Sequence, residues 1–114
     1  MAYDEGTAER VREVVQSQRG ISERRMFGGL AFMANGHMFV EMLGGTLMAR
    51  VGPAAYAAAL AKPHVREMDF TGRPMKGYAF VKAEDLASEQ ALAGWVNRCL
   101  AFAATLPPKL PAKK

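Results

Sequence analysis

Asn35-Gly36, set between the mainly apolar runs 27–34 and 37–43, constrains this chain more than any other dipeptide in it. Both central residues of a two-residue type I′ turn need positive φ, and asparagine followed by glycine meets that need with little strain. The dipeptide predicts a hairpin. Gly44-Gly45 repeats the signal after the second strand and adds a third over 46–51. Residues 27–51 therefore read as an antiparallel meander.

Helical signals flank the meander. A first helix is expected over 4–18, with Asp4, Glu5 and Glu9 near its positive end and Ala8, Val11, Val14 and Val15 on one apolar side. Gly20 supplies its stop. After the meander, Gly52-Pro53 opens a short alanine-rich helix over 54–61, and Pro63 closes it. Residues 66–70 and 78–82 read as two more strands, separated by the glycine- and proline-containing loop 71–77. A last helix starts at Ser88, a good N-cap, and buries a stripe of Leu92, Trp95, Val96, Cys99, Ala103 and Leu106. Pro107-Pro108 ends it. The expected order is α-β-β-β-α-β-β-α, an α+β fold with helices packed against an antiparallel sheet. The expectation is one domain over 1–106 and an extended basic tail over 107–114.

If both tight turns are two-residue hairpins, pairing sorts the meander's side chains by face. One face holds Ala31, Met33, Met38, Val40, Met42, Leu47, Ala49 and Val51. The other holds Leu30, Phe32, His37, Phe39, Glu41, Leu43, Met48 and Arg50. Neither is plainly polar, and helices are expected to cover only one. The expectation is that a protein partner, a second copy of the chain or another protein, covers an interface of Leu30, Phe32, Phe39 and Met48. Glu41 and Arg50 would set its register. The alternative is that strands or loops of the same chain cover that face.

Charge needs dissecting. Of the net charge of +4, three units come from Lys109, Lys113 and Lys114; the other 12 basic residues face 11 acidic ones. A near-neutral body with a basic tail argues weakly for a nucleic-acid binder. Arg24, Arg25, Arg50, Arg73 and Lys76 are the candidate groups for an anion, an acidic partner or a nucleic-acid backbone. The opposing reading is that they are solvated loop charges.

The remaining chemistry is sparse. Cys99 is the only cysteine, which excludes an internal disulfide and suits a reducing cytoplasm. It falls on the apolar stripe of the last helix, away from any base that would activate it. His37 and His64 show no ligand spacing to it, so neither a metal nor a cofactor is expected. Gly72 and Gly77 look at first like a phosphate loop, but Tyr78 stands where lysine is required and a strand follows where a helix should begin. No run approaches the roughly 20 apolar residues that cross a bilayer. These features point to a non-enzymatic protein away from membranes. An enzyme or small-ligand protein with a pocket near Arg73 is the remaining alternative.

Several segments carry a resemblance. Arg24-Arg25-Met26-Phe27-Gly28-Gly29-Leu30-Ala31-Phe32 is similar to the hallmark of the TfoX/Sxy family's N-terminal domain. So are Leu47-Met48-Ala49-Arg50-Val51-Gly52-Pro53 with Tyr56, and the stretch from Met68 to Tyr78 through Gly72-Arg73-Pro74. The close, from Trp95-Val96 through Phe102-Ala103 to Leu106-Pro107-Pro108-Lys109, is also typical. The resemblance implies a fold similar to the secretion-chaperone-like group. It also implies kinship with bacterial regulators of natural competence that act with transcriptional machinery. Those regulators carry a second, C-terminal helical domain, and the expectation here is a stand-alone N-terminal domain. The family provides no catalytic residues to carry over.

Overall fold

The computed structural model describes residues 5–26, 28–62, 65–67, 77–82 and 86–107. Asp4, Phe27, Pro63, His64, the segment 68–76 with Arg73 and Lys76, and the tail beyond Pro107 lie outside them. The chain runs α1 (Glu5–Val15), β1 (Ile21–Met26), β2 (Gly29–Ala34), β3 (His37–Leu43), β4 (Thr46–Arg50), a 3₁₀ turn (Pro53–Ala55), α2 (Tyr56–Leu60), β5 (Val65–Glu67), β6 (Tyr78–Val81) and α3 (Glu89–Ala104). The strands form one antiparallel sheet in the order β1-β2-β3-β4-β6-β5. The fold is α+β, as the element pattern implies, with one strand more than expected.

That extra strand is β1. Its sequence, Ile-Ser-Glu-Arg-Arg-Met, has no apolar alternation, because it is a sheet edge carrying charge on both faces. Ile21, Glu23 and Arg25 alternate with Ser22, Arg24 and Met26 opposite β2. A clamp from α1 holds the edge down. Arg12 Nε donates to Glu23 Oε2 at 2.7 Å and Nη2 donates to Oε1 at 3.0 Å, while Nη1 reaches Glu9 at 2.8 Å. This pairing raises the Arg12 pKa and holds the Glu23 carboxyl below its usual range.

Both expected hairpins form. Asn35 and Gly36 have φ of 51° and 87°, the signs a type I′ turn demands. Leu43 pairs with Thr46 around Gly44, whose φ is 60°. The facing of the strands differs from expectation, however. Phe32 pairs with Val40 and Met33 with Met38, so Phe39 is an extra residue in β3 with no partner opposite. This bulge inverts the rest of β3, and β4 with it, relative to β2. Leu30 and Phe32 thereby share a face with Val40, Met42, Leu47 and Ala49, whereas Ala31 shares the other with Glu41, Leu43 and Met48.

The first of these faces is the core. Phe39 and Val40, neighbours in sequence, both enter it, as a bulge permits. From above it is closed by Ala8, Val11 and Val15 of α1 and by Leu92, Trp95, Val96, Cys99 and Ala103 of α3. The stripe expected for the last helix is thus the one it buries; Leu106 lies beyond the helix end and is half-buried. Ser88 caps α3 by accepting from the Ala91 amide at 3.0 Å. Arg10 ties the helices together, donating to Glu89 at 3.0 Å and to the Leu86 carbonyl at 2.8 Å. Burial of each large side chain here contributes about 1.5–3 kcal/mol. The core, not helix propensity, fixes where α1 and α3 lie.

Candidate functional site

The second face carries the groups of interest. Its central row reads Arg24, Ala31, Glu41, Met48, Phe80 and Arg66, one residue from each strand in spatial order. Met48 and Phe80 form a small second cluster, with Met38, Leu43 and Tyr78 half-buried around them. Among the described residues no helical side chain belongs to this cluster. Arg66 lies over the Phe80 ring, its guanidinium carbon 4.5 Å from the centroid.

Glu41 is the anomaly of the row. It is 0 % exposed, and among the described residues neither carboxylate oxygen has a hydrogen-bond partner. Burial pushes its pKa up to about 7, so its acid form persists well above the pH at which a solvated glutamate ionises. Gly29 stands beside it. A β-carbon there would lie 3.1 Å from Oε2 of Glu41, so the missing side chain is part of what makes room for the carboxylate.

Two residues along β4 from Met48, Arg50 is held differently. Its guanidinium carbon sits 5.5 Å from the Tyr78 centroid and 5.6 Å from that of Phe102. Nη1 donates to the Met38 carbonyl at 3.3 Å. Two aromatic rings and a carbonyl orient this cation, a preorganised setting for its remaining donors. Nearby at the hairpin end, His37 Nε2 is 2.6 Å from the Pro107 carbonyl, linking β3 to the segment that follows α3.

The expected apolar interface is corrected by the bulge. Leu30, Phe32 and Phe39 lie in the helix-covered core, and Met48 alone faces the other way, itself only 2 % exposed. The expected basic cluster is also divided. Arg24 and Arg25 are both exposed but are consecutive strand residues directed to opposite faces. Arg50 is three strands from Arg24, about 14 Å across the sheet at the usual strand spacing. Arg73 and Lys76 lie outside the described residues. Glu41's buried state was not visible in the sequence, since a glutamate between Val40 and Met42 reads equally well as solvent-facing.

Cys99 packs in the core at 0 % exposure, and burial pushes its thiol up to about 12, the opposite of an activated nucleophile. Among the described residues no group of three His, Cys, Asp or Glu side chains could hold a metal ion, and no helix is long and apolar enough to cross a membrane.

An antiparallel sheet with helices over one face and a methionine-rich cluster on the other defines an α+β domain with two unlike sides. Residues 13–103 match the TfoX N-terminal domain, and the chain belongs to that family. No curated protein and no solved structure matches it.

Proposed function

We propose that this chain is a non-enzymatic regulatory module that acts by binding a protein partner, another protein or a second copy of itself, across the sheet face opposite the helix-covered core. The family is one of competence-regulator-like modules, which supports a regulatory reading. The observation that carries the choice of surface is the rim of Met38, Leu43 and Tyr78 around Met48 and Phe80. Thioethers on unbranched stems repack at low cost against differently shaped surfaces. The sheet edges are poorer candidates. One is the charged strand β1 and the other the three-residue β5, and both features discourage strand addition.

The test is site-specific photocrosslinking in living cells. A photoreactive phenylalanine analogue is placed at Met38, Leu43 or Tyr78, with Glu13 on the exposed side of α1 as control. Discrete adducts from the three face positions and none from Glu13 are expected. An adduct at twice the chain's own mass identifies a second copy. Equal labelling at Glu13, or no adduct at any face position, overturns this choice of surface.

A further inference from the structure

On the other side of the molecule, α3 presents a second feature. Gln90, Gly94 and Arg98 follow one another at helical spacing along an exposed ridge, and the ridge has a gap at its middle member. The gap opens a cleft of about 310 Å³ between α3 and Lys62, two residues past the end of α2, lined by Lys62, Gln90, Ala91, Gly94, Trp95 and Arg98.

Gly94 is what makes this more than a surface depression. Apart from proline, glycine is the residue a helix interior tolerates least. A β-carbon at Gly94 would meet nothing within 4 Å, and its backbone lies outside the positive-φ region. Neither packing nor backbone geometry calls for glycine there. Its consequence is the open cleft. A residue that breaks a local rule without a structural return is where function is to be sought.

The lining is one-signed. Lys62 and Arg98 bring two cations from separate elements, and Gln90 adds an uncharged amide donor. Among the described residues neither cation has a carboxylate partner. The acid nearest Arg98 in sequence, Glu89, is engaged by Arg10 of α1. Arg98 lies over Trp95, 5.1 Å from the ring centroid, which fixes its position at the cleft wall.

We infer that this cleft binds a small organic phosphate monoester, with Lys62 and Arg98 clasping the phosphate and Gln90 donating to it. Two cations match the charge of nearly −2 that a phosphate monoester carries near neutral pH. Three donor groups match its acceptor oxygens, with Arg98 able to bind two at once. The volume is at the low end of small-molecule sites, so the body attached to the phosphate is small. This site is separate from the Met48 and Phe80 face of the sheet and does not depend on the proposed protein partner.

The chain carries its own reporter, since Trp95 is its only tryptophan and lines the cleft. The experiment titrates phenyl phosphate, inorganic phosphate and benzoate into the full chain, reading tryptophan emission and heat. Phenyl phosphate should saturate in the millimolar range or below, with benzoate weaker for want of charge and inorganic phosphate weaker for want of a body. Lys62→Gln and Arg98→Gln should each weaken phenyl phosphate roughly tenfold, the loss of one charge-assisted contact. Gly94→Leu should abolish binding while raising the melting temperature, so misfolding cannot explain the loss. No saturable binding of phenyl phosphate, or binding that survives both Lys62→Gln and Gly94→Leu, overturns the assignment. Tighter binding of benzoate than of phenyl phosphate overturns the phosphate preference.

Discussion

Gly29 and Glu41 occupy one space: a β-carbon on the first would stand 3.1 Å from Oε2 of the second, 2.7 Å from Cδ2 of Leu43, and in overlap with the Met42 carbonyl oxygen. The neighbouring Gly28 has a different constraint. Its φ is 77°, yet a β-carbon there would meet nothing within 4 Å. Gly29→Ala is therefore a packing lesion against backbone, expected to destabilise by about 3 kcal/mol. Gly28→Ala carries only the left-handed backbone penalty of about 1 kcal/mol. Urea unfolding of the two variants checks the order, and a Gly28 variant as costly as the Gly29 one would refute this division of roles.

Glu41 sets a pH dependence with a definite sign. Its folded pKa lies above the value of about 4.5 that it has when solvated, so the folded state holds its proton more tightly. Stability from this group is complete below the unfolded value. It falls as pH rises from about 4.5 to about 7, then levels off. Every tenfold difference in proton affinity between the folded and unfolded chain corresponds to about 1.4 kcal/mol, so the whole fall is on the order of 3 kcal/mol. Glu41→Met removes the charge and both orphan oxygens at once. It should be more stable than the parent at pH 8 and close to it at pH 4, with Glu41→Gln in between. Melting curves across that range decide, and a parent chain whose difference from Glu41→Met is flat with pH contradicts the assignment.

Legibility in the sequence followed how local each signal was. Asn35-Gly36 and the Ser88 cap act through a few adjacent residues, and both elements appear where expected. The α3 stripe was legible because five apolar residues repeat at one period and face one core. β1 was not, because an edge strand held by charge offers no alternation to read. The facing of β3 failed for a related reason. Met38, Val40 and Met42 are as apolar as Phe39 and Leu43, so the pattern could not reveal the extra residue at Phe39. One slip moved Leu30, Phe32 and Phe39 from an imagined interface into the core. The α3 cleft joins Lys62 to Arg98 across 36 positions, a juxtaposition only the fold creates.

The clamp of Arg12 on Glu23 should be measurable as an edge-strand effect. Both side chains are about a third exposed, so solvent screening holds the pair to about 1 kcal/mol despite its two-pronged geometry. The low-shifted Glu23 carboxyl gives this contribution the sign opposite to that of Glu41. It is present above the unfolded pKa and is lost as pH falls through the depressed folded value. A double-mutant cycle of Arg12→Ala and Glu23→Ala should return a coupling of about 1 kcal/mol at low salt and less at high salt. Amide exchange in Ile21–Met26 should accelerate more than in Thr46–Arg50, which lies inside the sheet. Uniform acceleration through the sheet would show that the pair supports the whole fold and not the edge.

Gly94 offers a prediction that needs no ligand. It lies inside the 16-residue α3, where glycine is about 1 kcal/mol less favourable than alanine. The added methyl has open space around it, so no packing cost opposes the gain. Gly94→Ala should therefore raise stability by about 1 kcal/mol and the melting temperature by roughly 4–8 °C for a domain of this size. Calorimetry without added ligand is the check. A gain of that size means that the fold retains a residue it would be more stable without, which leaves the open cleft as its reason. A neutral or destabilising outcome would mean that α3 needs glycine for its own sake, and the cleft would lose its main support.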